Sequence, residues 1–103
     1  MRYPYTITES LAGLEQSRYR ARSWRSACAL ASVALEYRLA ELERLLSSRG
    51  DTPTLQSARG ECRRALEYFT GAARDYRLPA PILPGGMSET SADPWRLTIT
   101  RGR

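Results

Sequence analysis

Residues 8–47, TESLAGLEQSRYRARSWRSACALASVALEYRLAELERLLS, decide how the chain is read. Placed at 100° per residue, Leu14, Ala21, Trp24, Cys28, Ala31, Leu35, Leu39, Leu42 and Leu46 fall within about 100° of one another, the width of a core-facing stripe. No proline interrupts the pattern. Thr6 and Glu9 stand at capping-box spacing before it, and Gly50 suits the left-handed residue that follows a helix end. The spacing predicts one helix from about Thr8 to Ser47.

Thr52-Pro53 supplies a cap and a first-turn proline for a second helix. Its stripe is Leu55, Ala58, Cys62, Ala65, Phe69, Ala72 and Tyr76, and Pro79 ends it near residue 77, because a residue before proline avoids the helical region. The expected fold is therefore mainly all-α. Residues 1–78 form a long antiparallel helical hairpin, with helices at about 8–47 and 53–77. Residues 79–103 pack on the same domain as an irregular Pro/Gly-rich crossover and a short C-terminal β-strand. Four of the six prolines lie between Pro79 and Pro94, which argues against regular structure there. Trp95 to Arg101 then alternates apolar and polar residues as a half-buried strand does. Tyr5-Thr6-Ile7-Thr8 echoes Leu97-Thr98-Ile99-Thr100, and the two segments can pair as a ribbon.

A hairpin alone covers one stripe of each helix, too little to offset chain entropy. A second apolar surface, Ala27, Leu30, Ala34 and Tyr37, lies more than 100° from the first, and no charge falls between Ala27 and Leu35. A helix apolar all round is a buried helix. A first helix of about 60 Å also outruns a second of about 37 Å. The hairpin is expected to dimerise into a four-helix bundle, with Ala27, Leu30, Ala34 and Tyr37 as the association face.

The chain has 16 basic and 11 acidic residues, and every basic residue is arginine. The absence of Lys, His and Asn reads as the coding bias of a GC-rich bacterial genome. Without His or Lys the commonest general base and the Schiff-base nucleophile are missing. The carboxylates Glu15, Glu41, Glu61 and Glu67 each have an arginine three or four residues away, the spacing of a solvated, salt-bridged face. No glycine-rich phosphate loop occurs. Cys28 and Cys62 cannot build a four-ligand zinc site, and in a hairpin turning at Gly50 they sit about 15 Å apart along the axis, beyond disulfide reach. No enzyme activity, cofactor or metal is expected. Met1–Ser10 lacks the apolar run of a signal peptide, and ten apolar residues fall short of the ~20 a membrane span needs, so the chain reads as cytoplasmic.

One basic constellation stands out. Arg18, Arg20, Arg22 and Arg25 lie within eight residues, and on a helix Arg18, Arg22 and Arg25 share a face. A basic helix entering a helix-loop-helix resembles in layout the basic helix-loop-helix DNA-binding proteins, with Glu15-x-x-Arg18 at the Glu-to-Arg spacing of their basic region. The resemblance spans fewer than ten residues and lacks their consecutive arginines. The leading expectation is a small regulatory or adaptor protein that binds another protein through apolar helix faces, for example sequestering a transcription factor or blocking its dimerisation. The alternatives are nucleic-acid binding through Arg18, Arg22 and Arg25, and a structural component of a phage or secretion assembly.

Overall fold

The computed structural model describes residues 3–74 and 80–102, the last turn of the second helix (71–74) by its backbone alone. Its elements run β1 (Tyr5–Leu11), β2 (Leu14–Ala21), α1 (Trp24–Arg49), α2 (Pro53–Arg74), β3 (Met87–Ala92) and β4 (Trp95–Arg101). The chain is a succession of three antiparallel hairpins, strand, helix and strand. The two strand hairpins join through β1 and β4 into one four-stranded antiparallel sheet of order β2-β1-β4-β3. The helical hairpin covers one face of that sheet: α1 lies against β1 and β2, and α2 lies against β3. This is a two-layer α+β fold, which overturns the expectation of a mainly α-helical hairpin and four-helix bundle.

The largest correction concerns residues 5–21. The long first helix starts at Trp24, not Thr8, and the residues before it form the β1–β2 hairpin. Ala12 and Gly13 take φ of 53° and 83°, the two positive values that a two-residue type I′ hairpin turn requires. Leu11 faces Leu14 across that turn. The helical stripe had only Leu14 and Ala21 as markers in this stretch, and Leu14 is 69% exposed. Thr6, Ile7, Thr8 and Tyr19 instead carry the β-branched and aromatic character that suits a pleated surface. The helix-loop-helix likeness falls with it, since Glu15 and Arg18 stand on a strand.

From Trp24 onward the helical reading holds. Ser23 caps α1, accepting a hydrogen bond from the backbone N–H of Ser26 at 3.1 Å. Gly50 follows the helix with φ 83°, its N–H donating to the Leu46 carbonyl at 3.0 Å. Thr52 caps α2 through the Leu55 N–H at 3.2 Å. The expected end of α2 at residue 77 and its stripe member Tyr76 lie outside the described residues, as does the side chain of Ala72. The irregular crossover is shorter than expected, because β3 occupies residues 87–92 within it. At its end Gly86 donates its N–H to the Leu83 carbonyl at 2.7 Å, and a Cβ there would stand 2.8 Å from that oxygen.

The ribbon between the two TIT segments is present. Thr6 faces Thr100, Ile7 faces Ile99 and Thr8 faces Thr98, at the centre of the sheet. Period-two alternation then sorts the residues of β1 and β4, while β2 shifts register against β1 between Glu9 and Ser10. Tyr5, Ile7, Leu97 and Ile99 point under the helices and are buried, while Thr6, Thr8, Thr98 and Thr100 face away. The core continues upward through Trp24, Ala27, Ala31, Leu35, Cys28, Cys62 and Phe69. The partner that α1 needs for its second apolar face is therefore the sheet of its own chain. Ala27 is fully buried and Ala34 nearly so, so neither is free for association.

Candidate functional site

Beyond α1, on the side away from α2, the sheet extends past its cover. Tyr19 on β2 faces Ile7 on β1, so both belong to the helix-covered face, where Ile7 is fully buried. Tyr19 is nonetheless 42% exposed, because β2 is the edge strand and only part of it lies under α1. Above it, α1 turns outward a flank of Leu30, Val33 and Tyr37. Leu30 and Tyr37 lie about 20° apart on the helical wheel, with Val33 next to them. Leu30 is half-buried against the core, while Val33 and Tyr37 are 49% and 76% exposed. Of the four residues expected to form an association face, the structure keeps Leu30 and Tyr37 on an open flank and gives Ala27 and Ala34 to the core.

The flank ends in a cleft of about 250 Å³, lined in part by Glu9, Leu11, Gln16, Tyr37, Arg38 and Trp95. Arg38, read from sequence as part of a solvated face, is buried: 9% of it is exposed, and among the described residues its Nε has no hydrogen-bond partner. Its Nη1 stands 3.5 Å from Glu41 Oε1, a carboxylate half open to water. Glu9 accepts a hydrogen bond from the Ser17 hydroxyl. Arg38 also pulls the neighbouring Cys62 thiol downward, but burial outweighs it. Desolvation holds both Cys28 and Cys62 at about 11, against an ordinary 9.0. Both cysteines are free and buried.

The arginines regroup once residues 14–21 are a strand. Arg18 and Arg20 sit opposite Thr8 and Thr6, on the face of the sheet that carries no helix, and Arg22 follows at the next alternate position. The expected helical grouping of Arg18, Arg22 and Arg25 is broken, because Arg25 belongs to the first turn of α1. Arg18 pairs with Glu15 at 2.7 Å. Arg20 and Arg22 gather instead around Tyr3: Arg20 donates to the Tyr3 carbonyl at 3.2 Å, and Arg22 donates to its hydroxyl at 3.1 Å with its guanidinium 5.1 Å from the ring centroid. Among the described residues, Arg20, Arg22, Arg25 and Arg101 make no ion pair.

Elsewhere the acidic residues behave much as their spacing suggested. Glu61 pairs with Arg64, while Arg63 reaches across the helical hairpin to Glu43 at 3.0 Å rather than along its own helix to Glu67. No helix among the described residues is long and apolar enough to cross a membrane. Comparison with protein-family models, curated proteins and solved structures finds no match to this chain.

Proposed function

We propose that this chain is a non-enzymatic regulatory or adaptor protein of the cytoplasm that binds another protein along the flank where α1 overhangs β2. The observation that carries the reading is Tyr19. An aromatic residue on the core-facing side of a sheet is left 42% exposed, and α1, which packs on that side, leaves Val33 and Tyr37 exposed as well. Apolar surface concentrated on one flank, rimmed by charge, is the ordinary composition of a protein-binding patch. Two buried free thiols suit a reducing compartment.

The test is capture of partners from the native cell by the tagged full chain, read by mass spectrometry. Tyr37→Glu should remove the captured proteins, while Tyr68→Glu, at an exposed position of α2, should leave them. A captured set indifferent to Tyr37→Glu overturns the proposal.

A second reading, nucleic-acid binding, draws support from the cations without carboxylate partners at Arg20, Arg22, Arg25 and Arg101. Phosphate contacts make affinity fall steeply between ~50 and ~200 mM salt. Anisotropy with labelled duplex and single-stranded DNA across that range tests it. A Tyr37→Glu effect on DNA affinity would not be expected, since Tyr37 lies on the helical layer and Arg20 on the opposite face of the sheet.

A further inference from the structure

We infer that the open edge of β2 receives an extended, acidic segment of the partner protein as a fifth strand. This rests on the protein-binding reading above and adds the form and charge of what is bound. Among the described strands β2 is hydrogen-bonded to β1 alone, so alternate N–H and C=O groups along its eight residues face outward, as on any sheet edge. A strand laid there would lie about 4.8 Å from β2. Its side chains would alternate between the two environments that flank the edge. On the helical side they meet Tyr19 and the outer flank of α1. On the open side they meet Arg18 and Arg20, two residues and about 6.7 Å apart, which is also the spacing of acidic residues at every second position of an extended chain; Arg22 follows just past the strand's end.

Charge decides which occupant fits. A second copy of the chain pairing antiparallel about Tyr19 would set Arg18 opposite its partner's Arg20 at both ends, and like charges directly opposite destabilise a strand pair. Arginine on an edge thus discourages self-pairing, while Arg20 and its neighbour Arg22 make no ion pair among the described residues. Tyr3 holds both near the edge. Apolar side chains alternating with Glu or Asp satisfy both rows at once, and a basic segment satisfies only one.

The probe is a fluorescein-labelled peptide of about eight residues, the length of an ordinary strand, alternating Val and Glu, compared with the same peptide carrying Lys for Glu. Anisotropy should show the acidic peptide binding at least about tenfold more tightly at low salt. Bound peptide should slow amide exchange at residues 14–21 and not at β3. Arg20→Glu with Arg22→Glu should invert the preference, so that the Lys peptide binds better. Circular dichroism checks that this variant is folded, and Arg20→Gln with Arg22→Gln replaces it if it is not, with loss of the preference expected. Equal binding of the two peptides, no binding of the acidic one, or protection elsewhere overturns the inference. The two readings separate in the capture experiment. If Tyr37→Glu abolishes capture and the Arg20/Arg22 reversal leaves it intact, the flank binds a protein but not as a strand. If neither variant changes capture, both readings fail.

Discussion

At the β3 edge of the sheet, α2 lies over Ser88, Thr90 and Ala92, the residues opposite Ile99, Leu97 and Trp95, and fully buries Cys62 and almost all of Phe69. At the β2 edge, α1 stops short: Ala21 is buried at one end of the strand, yet Tyr19 is half open and Leu14 mostly so. The difference is one of side-chain size. β3 presents small residues to its helix, so α2 comes close enough to bury Ala92 and to leave Ser88 and Thr90 half-buried beside two shallow clefts. β2 presents a tyrosine with arginines behind it, so the layer remains open on that side. The small-residue edge serves the core and the aromatic edge leaves apolar surface in water.

The sharpest way to break this contrast is to truncate the centre and the open edge in parallel. Ile7→Ala removes a fully buried side chain from the central strand and should cost about 2–5 kcal/mol. Tyr19→Ala should cost under about 1 kcal/mol, since half of the ring is already in water. Urea unfolding measures both. Equal costs would mean that β2 is as tightly packed as β1.

A pH titration probes the core around the two thiols. Both thiols are raised from 9.0 to about 11 by burial, so the folded chain holds their protons more tightly than the unfolded chain does. The stability this represents is complete below pH 9 and is lost as pH rises through about 11, by a total on the order of a few kcal/mol. Unfolding free energy followed by fluorescence from pH 8 to 11 should decline in that window. The decline should disappear in Cys28→Ser/Cys62→Ser if that variant is folded. Ellman titration of the unfolded, unreduced protein should count two free thiols per chain.

Smaller effects sharpen the picture at the joint between β2 and α1. Ser23→Ala removes the cap that fixes the first turn of α1 above the edge and should cost about 1 kcal/mol. Tyr37→Glu should shift the urea midpoint by less than about 0.5 kcal/mol in stability terms, because a residue 76% exposed has little packing to lose. A large loss of stability would place Tyr37 in the fold and not on a binding flank.

How much of this was legible depends on how strongly each element buries large side chains. Trp24 to Leu46 shows its stripe because α1 is covered by both the sheet and α2. β1 and β4 show clean alternation because Ile7, Leu97 and Ile99 face a dry interior and the threonines face water. β2 hides its period, since an uncovered edge strand has little need of apolar residues on either face. β3 hides it differently, by meeting α2 through Ser88, Thr90 and Ala92, small or polar residues that carry no apolar alternation. Of the candidate site, Tyr37 was legible as surplus apolar surface. Tyr19 was not, because its significance requires knowing that residues 14–21 are extended. The arginine cluster was visible in composition, but its grouping changed once a period of two replaced one of 3.6.

The pairing of β1 with β4 has a kinetic consequence. Each of the three hairpins closes over a handful of residues, an event of microseconds for the strand pairs and faster for the helical turn. The contact between residues 5–11 and 95–101 closes a loop of nearly the whole chain, and such non-local pairing is what slows folding. Assembly of the sheet therefore waits on one long-range encounter between two preformed ribbons, with the helical hairpin as the surface on which they meet. Substitutions at that seam, such as Ile99→Val, should retard refolding, and so should substitutions at the Gly50 turn, because the helical hairpin is already formed when the ribbons meet.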